Sequence, residues 1–424
     1  MKTRVRISPL FLMGLLLLVT AGCRKNESIL TDPLDRLNWS ERNWMVLNEC
    51  ITDFGRGGKY YDQDKPPYAV LDWDQTCAHF DGEEALMRYQ LTHFRFKLTK
   101  AQFEGVLKDE INGVKQLSDD YNGIFLKDLN LDLISDYHFL FDNYSALNGT
   151  LSLEQIQTTP QFTDFVTKVA FLYDGYCGTP GIGAVYGYPW VIGLLAGHTT
   201  SEIREMAREA ISFGLSDQLR KQTWLSPADL PGFTGVVSYS FKTGLRVLPE
   251  MQNLISTLIK YGIDVFIVSA SYKPVVETFS GIGKYGYNLS QDQVIAMEMD
   301  TTSEGIILSS YKDGWVQTQN QGKVEAINRI IKQGLGKDWD PIFSAGDSDG
   351  DYEMLTGFPG TKLTLIWNRV KGGNIGRLCQ QAVDETNSLI PRYILQGRNE
   401  NTGVAMPCSE SILFGESVAR LLYQ

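Results

Sequence analysis

Short apolar runs that end in polar side chains recur along the chain and indicate the strands of one sheet. The runs lie at residues 68–71, 261–269, 341–346 and 363–367. They lack the alternation of half-exposed strands, and unbroken runs of this kind are typical of buried parallel strands. Amphipathic helical periods separate the later runs. The alternation predicts an α/β fold built on a doubly wound parallel sheet.

The long interval between the first run and the second has a different character. Residues 83–240 are largely helical in period, with few strand-like runs before about residue 235. We interpret this interval as a helical cap inserted into a core that comprises residues 38–82 and 241–424. Glycines are so dense between residues 173 and 190 that an irregular, aromatic-rich loop is predicted there.

The first 22 residues are predicted to be a targeting segment rather than part of the fold. Lys2, Arg4 and Arg6 form a basic start, residues 9–22 are almost wholly apolar, and Cys23 follows small residues. This pattern resembles a bacterial lipoprotein signal that is cleaved before Cys23, whose thiol would carry the lipid; an ordinary secretory peptide is the alternative. We therefore expect an exported protein that is lipid-anchored in the bacterial cell envelope.

The polar residues that follow Cys23 are predicted to form a tether over residues 23–37. The formal charge of the 424-residue chain is −11, and loss of the three cations in residues 1–22 would make it −14. An acidic chain is a poor partner for the phosphate backbone of nucleic acids. We expect no nucleic-acid partner.

The cysteines that remain after Cys23 do not indicate a metal site. No two of them have the C-x-x-C spacing of a zinc site. Cys379 and Cys408 are the pair that closeness in the chain favours for a disulfide, and buried free thiols are the default for most of the others. The cysteines after position 23 are Cys50, Cys77, Cys177, Cys379 and Cys408.

Two carboxylates follow the first apolar run directly. Asp72 and Asp74 stand where the strand ends, and in open α/β sheets the chemistry lies beyond the carboxyl ends of the strands. Two acids that are two positions apart point differently, which suits a division of labour in which one attacks and the other moves a proton. A polar strand end that merely caps the next turn is the alternative, because the pattern is short.

Later stretches reduce the weight of that alternative. The second run ends at Ser269, Lys323 opens an amphipathic helix, and the third run ends in an acidic glycine turn that contains Asp347 and Asp351. The order D-x-D-x-T, strand–Ser, Lys and G-D-S-x-x-D resembles the four motifs of the haloacid dehalogenase superfamily and of its phosphatases in particular. Segments 188–197, 247–251 and 268–271 are similar to the phosphorylcholine phosphatase and phosphoserine phosphatase branch, from which Gln75 departs.

The resemblance implies a role for each motif. Asp72 would be the nucleophile and Asp74 the general acid and base. Ser269, the backbone N–H groups of Ala270 and Ser271 at a helix start, and Lys323 would bind the phosphoryl group.

The resemblance also implies a Mg²⁺ cofactor, since that ion seeks carboxylate and phosphate oxygens. Asp72, Asp347 and Asp351 would supply carboxylate ligands, and Asp74 its backbone carbonyl. Asp351 is preferred to Asp349 because the family pattern has its second acid at that position.

Recognition of the leaving group is assigned to residues outside the four motifs. Glu84 matches a glutamate that faces a quaternary ammonium in the choline branch, although a glutamate near a helix start is also favoured by the helix dipole. Trp190, with the tyrosines of the glycine-rich loop, would supply an aromatic wall for a cation. A purely structural role for that loop is equally open.

Three hypotheses of function follow. The first is a Mg²⁺-dependent phosphomonoesterase that works through an aspartyl-phosphate on a small phosphorylated metabolite, with phosphocholine as a candidate. The second is a phosphoserine-type or broad-specificity phosphatase. The third is a non-catalytic, ligand-binding surface lipoprotein, which has no need of the complete catalytic set.

Overall fold

Six parallel strands form the central sheet of the computed structural model, which describes residues 32–423. In chain order they are β1 (Tyr68–Leu71), β2 (Asp264–Tyr272), β3 (Val294–Met297), β4 (Phe343–Gly346), β5 (Leu363–Trp367) and β6 (Tyr393–Gln396). Their order across the sheet is β6-β5-β4-β1-β2-β3. The predicted doubly wound parallel sheet is confirmed. Because the order reverses between β1 and β4, a crevice is expected at their carboxyl ends.

Both faces of the sheet are covered, which explains the unbroken apolar runs. Ala69 and Leu71 of β1 belong to one hydrophobic cluster, whereas Tyr68 and Val70 belong to a second. Alternate side chains of a strand point to opposite faces, so each face of β1 has its own core. Helices outside the interval between β1 and β2 are Glu41–Phe54, Pro249–Lys260, Lys273–Ser280, Gln321–Ala326 with its continuation Ile327–Gly334, Tyr352–Thr356 and Gly373–Asp384.

The interval between β1 and β2 is mainly helical. We call residues 82–243 the inserted segment; its limits differ little from the predicted 83–240. Its helices are Gly82–Thr92, Lys100–Val106, Leu126–Asn143, Leu153–Gln157, Pro160–Gly178, Ala184–Gly193 and Thr200–Ser216. Strands Arg220–Leu225 and Ser238–Thr243 pair as an antiparallel hairpin at its end.

The glycine-rich stretch of the inserted segment is helical, so the prediction of an irregular loop there is wrong. Only residues 179–183 lie between the helices Pro160–Gly178 and Ala184–Gly193. A Cβ on Gly187 would lie 2.5 Å from the Cys177 Sγ atom. Glycine therefore lets these two helices pack closely, and the sequence pattern alone does not distinguish this use of glycine from a loop.

Two smaller strand groups lie beside the main sheet. Val294–Met297 joins the main sheet, whereas the nearby strand Met299–Thr301 pairs with Ile307–Tyr311 in a separate antiparallel hairpin. Near the C-terminus four short strands form a second small sheet. They are Arg398–Asn399, Val404–Ala405, Ser411–Ile412 and Ala419–Arg420.

The part of the predicted tether that the structure describes is packed against the fold. Leu34 is buried, and its backbone N–H donates to Asn48 Oδ1 of the helix Glu41–Phe54 at 2.8 Å. The predicted signal peptide and Cys23 lie outside the described residues. Within residues 32–423, no helix has the length and apolar character needed to cross a membrane.

The five cysteines of the described region all have free thiols. The pairing of Cys379 with Cys408 is therefore wrong. Cys379 is buried in the helix Gly373–Asp384, whereas Cys408 is half-buried in the C-terminal loops.

Candidate active site

Three carboxylates from separate stretches of the chain meet at the carboxyl edge of the sheet. Asp72 follows β1, and Asp347 and Asp351 follow β4, the neighbouring strand. One oxygen of each lies within 4.8 Å of the others, and all three side chains are buried. Asp351, and not Asp349, joins the cluster, because Asp349 Oδ1 accepts the backbone N–H of Ile375 at the start of a helix, at 2.7 Å.

Lys323 connects two of these carboxylates. Its Nζ atom donates to Asp72 Oδ1 at 2.6 Å and to Asp351 Oδ1 at 2.7 Å, and its side chain is buried. Burial opposes the charged form of Lys323, but Asp351 and Asp72 raise its pKa above the ordinary value. The ammonium therefore stays charged and offsets part of the repulsion within the cluster.

The carboxylates of the cluster differ in protonation. Burial and the neighbouring Asp351 raise the pKa of Asp72 to about 7. Burial acts on Asp347 in the same direction, but Arg369 and Lys371 outweigh it and lower the pKa of that carboxyl. Arg369 Nη1 donates to Asp347 Oδ2 at 2.7 Å, and the Thr76 hydroxyl donates to Oδ1 at 3.3 Å.

Asp74 lies apart from the cluster and faces the inserted segment. Its Oδ1 accepts the Gly82 backbone N–H at 2.7 Å, and its Oδ2 accepts the Ser271 hydroxyl at 2.6 Å. Burial, with Asp81 adding to it, raises the pKa of Asp74 well above its ordinary value. A carboxyl whose protonated form is favoured by its surroundings is suited to act as a general acid.

Ser269, Ala270 and Ser271 lie within β2 and not at a helix start, so that part of the prediction is wrong. β2 continues to Tyr272, and the next helix begins at Lys273. The pairing of β2 with β3 shifts register between Val268 and Tyr272, which turns the intervening side chains out of the regular ladder. Ser271 donates its backbone N–H to Ser269 Oγ at 3.1 Å.

A cavity of about 430 Å³ contains the motif residues and extends toward the inserted segment. Asp81 and Glu83 line its far side together with Tyr173 and Tyr188. Glu83 Oε2 accepts the Tyr272 backbone N–H at 2.8 Å. Burial raises the pKa of Glu83 to about 8 and, with Glu84 adding to it, the pKa of Asp81 to about 7.

Glu84 and Trp190, the predicted leaving-group residues, do not line this cavity. Glu84 pairs with Arg88 at 3.0 Å on the helix Gly82–Thr92, with 38% of its side chain exposed. Trp190 is buried among helices, where its Nε1 donates to the Val106 carbonyl at 3.1 Å and its ring meets Tyr176 edge-on at 5.1 Å. Glu83, next to Glu84, lines the cavity instead. Among the residues of the predicted aromatic wall Tyr188 lines the cavity and Trp190 does not, since helical residues one or two positions apart point in different directions.

Two cations of the site were not anticipated from the sequence. Arg369 and Lys371 follow β5 and line the cavity beside Asp347. The signal for them was present, because polar residues directly after an apolar run at 363–367 would meet the same edge of the sheet as Asp72. The Ser271 hydroxyl was also missed, since only its backbone N–H was assigned.

The cluster fits an oxygen-seeking divalent cation. Asp72, Asp347 and Asp351 supply hard carboxylate oxygens that lie close enough together to share one ion. Three buried carboxylates are costly without cations nearby, and a bound ion would add to the positive charge of Lys323, Arg369 and Lys371. The donor set therefore fits an oxygen-seeking divalent cation such as magnesium.

Comparison with known proteins supports the resemblance to phosphatases of the haloacid dehalogenase superfamily. No protein-family model matches the chain. The phosphorylcholine phosphatase of Pseudomonas aeruginosa is 22% identical over 157 residues, which are 36% of this chain and 42% of that protein. The match thus spans less than half of that relative's length.

Solved structures support the fold. A protein of unknown function from Anaerococcus prevotii matches with a TM-score of 0.82 and 29% identity, covering 92% of this chain and 100% of that chain. A phosphoserine phosphohydrolase-like protein from Francisella tularensis matches with a TM-score of 0.29 and 11% identity over 71% of this chain and 87% of that chain. That second likeness is too weak to carry an argument. The predicted resemblance of this chain to the phosphatases of the haloacid dehalogenase superfamily is confirmed.

Proposed function

We propose that this protein is a phosphomonoesterase that transfers the phosphoryl group of a small metabolite to Asp72 and then to water. One observation carries the proposal: Asp72, Asp347 and Asp351 meet around Lys323 at the carboxyl edge of the sheet, with Asp74 beside them in the same cavity. A ligand-binding lipoprotein without catalysis would have no use for these costly buried charges.

The first step uses both acids of the loop after β1. An oxygen of Asp72 attacks phosphorus, the bond between phosphorus and the leaving oxygen breaks, and Asp74 gives its proton to that oxygen. The Ser271 hydroxyl and the Gly82 N–H hold Asp74 in place for this transfer. Ser269 and Lys323 offer donors to the phosphoryl oxygens.

The second step reverses the role of Asp74. As a carboxylate, Asp74 takes a proton from water, the water oxygen attacks phosphorus, and the bond from phosphorus to Asp72 breaks. Inorganic phosphate leaves and both acids return to their starting forms. A Mg²⁺ ion held by Asp72, Asp347 and Asp351 would supply positive charge for the phosphoryl oxygens. Arg369 holds Asp347 in its ionised form beside that site.

The leaving group of the proposed substrate is small and carries a positive charge. Two acids, Asp81 and Glu83, and two aromatic rings, Tyr173 and Tyr188, line the cavity. Burial favours the neutral form of both acids, but a bound ammonium ion would lower their pKa values, and carboxylates and aromatic faces are the groups with which proteins bind ammonium ions. These contacts support phosphocholine and, as a second candidate, phosphoserine.

A phosphate-release screen over small phosphomonoesters, with magnesium and with a chelator, tests the proposal. We expect release that requires magnesium and favours cationic esters. If no ester releases phosphate under any metal condition, the phosphatase proposal is wrong.

A matched pair of variants tests the leaving-group side. Glu83→Gln should raise KM for phosphocholine by about tenfold, because a cation–carboxylate contact is worth about 1–2 kcal/mol, and should leave p-nitrophenyl phosphate nearly unchanged. Glu84→Gln is the control on the adjacent residue, whose carboxylate faces Arg88. The reverse pattern would return the role to Glu84, as the resemblance implies. Equal losses on both substrates would make Glu83 a structural residue.

We further propose that the chain is exported to the bacterial cell envelope and lipid-anchored at Cys23. The basic start, the apolar run and the small residues before Cys23 support this. Mass spectrometry of the mature N-terminus should find a diacylglycerol-modified Cys23. An unmodified Cys23, or a mature chain that starts elsewhere, would refute the anchor.

A further inference from the structure

The loop that carries Asp72 and Asp74 contains a residue in an unfavourable backbone conformation. Gln75 has a φ of 65°, in the left-handed region that residues other than glycine rarely adopt. It lies directly between Asp74 and Thr76, both of which serve the site. Something outside the loop must hold this conformation, because the loop's own sequence does not favour it.

Arg398 makes the contacts that can hold it. This arginine lies in the small C-terminal sheet, is 0% exposed, and donates from Nη1 to the Gln75 carbonyl at 2.8 Å and from Nη2 to Gln75 Oε1 at 2.9 Å. One planar guanidinium therefore donates hydrogen bonds to both the backbone and the side chain of the same residue, and an ammonium could not match that geometry.

The guanidinium is itself held by its surroundings. It lies over the Trp367 ring, 5.7 Å from the centroid, and the backbone N–H of Arg398 donates to Ser411 Oγ at 2.8 Å. Glu400 lies 3.9 Å from Arg398 and 3.3 Å from Arg369, the arginine that contacts Asp347. The C-terminal sheet thus reaches both acid-bearing loops: Arg398 contacts the loop of Asp74 directly, and Glu400 contacts Arg369, which pairs with Asp347.

We propose that Arg398 is a positioning residue for Asp74. The backbone of residues 73–78 is a tight turn in which the Trp73 carbonyl accepts the N–H groups of Thr76, Cys77 and Ala78. The direction of the Gln75 carbonyl is coupled to the geometry of this turn. The hydrogen bonds from Arg398 to Gln75 therefore fix the orientation of the adjacent Asp74. The inference rests on the proposed role of Asp74 as general acid.

Leaving groups of different basicity separate positioning from general damage. An alkyl phosphate needs a proton on its leaving oxygen, whereas p-nitrophenolate leaves without one, so misplacement of Asp74 slows the first step only for the alkyl ester. The second step is the same for both esters, so the comparison uses kcat/KM, which reports the steps up to release of the leaving group. The test measures kcat and KM of the parent, Arg398→Lys, Gln75→Ala, the double variant and Asp74→Asn. The substrates are p-nitrophenyl phosphate and the alkyl ester that the parent turns over fastest in the screen.

We expect Arg398→Lys to lower kcat/KM for the alkyl ester by about tenfold or more, within the roughly 10²–10⁴-fold that general acid catalysis supplies. Its kcat/KM for p-nitrophenyl phosphate should change less than about threefold. Gln75→Ala should show a smaller loss of the same kind, and the double variant should lose little more than Arg398→Lys, because one contact is removed either way. Arg392→Lys is the matched control. Arg392 directly precedes β6, away from the site, and its guanidinium donates to the Phe358 carbonyl at 3.1 Å.

The outcomes separate the two proposals. If Asp74→Asn does not slow the alkyl ester selectively, the proposed role of Asp74 fails. If Asp74→Asn does so but folded Arg398→Lys and Gln75→Ala slow both esters equally or neither, the positioning inference alone is overturned. Should Arg398→Lys fail to fold, Gln75→Ala decides by the same measure. An equal rise in its KM for both esters would make Gln75 a substrate contact instead.

Discussion

At the scale of single residues, the surroundings give the acids of one small site different protonation states. Asp347 is kept ionised by Arg369 and Lys371, whereas burial favours the protonated form of Asp74. In the proposed mechanism the same side-chain chemistry therefore supplies both a metal ligand and a proton donor. Residues distant in the chain contribute to this difference in protonation. The acids can therefore be tested separately.

Removal of the nucleophile should abolish turnover. Asp72→Asn keeps the size of the side chain but loses the attacking carboxylate, so phosphate release should fall by at least about 10³-fold. Labelling with beryllium fluoride, which mimics an aspartyl-phosphate, should succeed in the parent and fail in the variant. Turnover near the parent's rate would rule out the covalent mechanism.

Glu83 should make stability depend on pH. Its pKa is about 8 in the folded chain, against an ordinary value of 4.5, so between these pH values the folded state holds more of the proton than the unfolded state. Stability therefore falls as pH rises through this window, and Glu83→Gln should remove that loss. We expect the Tm of Glu83→Gln relative to the parent to increase from pH 5 to pH 8, by an amount equivalent to about 1 kcal/mol or more. A Tm difference between Glu83→Gln and the parent that does not change with pH would contradict the raised pKa of Glu83 and the burial that causes it.

At the scale of elements, irregularities in regular structure build the site. The register shift in β2 turns Ser269–Ser271 into the cavity, and the close contact of the helices Pro160–Gly178 and Ala184–Gly193 brings Tyr173 and Tyr188 to the same wall. Neither feature follows from local propensity. The helix contact depends on glycine and can be tested directly.

A methyl group at Gly187 should push these helices apart. Its Cβ would lie 2.5 Å from Cys177 Sγ, and overpacking of this kind costs about 1–3 kcal/mol. Gly105→Ala is the matched control, since no atom lies within 4 Å of its added Cβ in the helix Lys100–Val106. Denaturation should show a destabilised Gly187→Ala and a Gly105→Ala that is unchanged or about 0.5–1 kcal/mol more stable. Equal effects of the two substitutions would show that the contact is not tight.

At the scale of the whole molecule, the site joins parts of the chain that are distant in sequence. Asp72, Lys323 and Asp347 converge only when β1, β4 and the helix Gln321–Ala326 are assembled, and Arg398 adds the C-terminal sheet. Such a site exists in the folded chain and not in the unfolded chain. Ligands of the site should therefore stabilise the entire fold.

Magnesium should raise the Tm of the protein. A ligand at 100 times its Kd that binds only the folded state adds about 2.7 kcal/mol to the free energy of unfolding. The shift should be absent with sodium at equal ionic strength and lost in Asp347→Asn, which removes a carboxylate of the cluster. An equal shift in Asp347→Asn would place the ion elsewhere.

The sequence by itself determined the class of fold and the chemistry. Unbroken apolar runs followed by Asp72, Ser269 and Asp347 predicted a parallel sheet with its site at one edge, because buried strands and polar strand ends leave a local signature. The order of the motifs was sufficient to recognise the superfamily.

The tertiary structure alone decided which side chains face the cavity. Glu83 rather than Glu84, and Tyr188 rather than Trp190, line its wall, because the rotation of a helix about its axis is set by packing and not by residue type. Arg369 follows β5 and Arg398 lies in the C-terminal sheet. Both therefore come after the acid motifs in the chain and meet them only in the folded protein. Glycines that suggested a loop instead bring two helices together, because close packing and chain reversal both require the absence of a side chain.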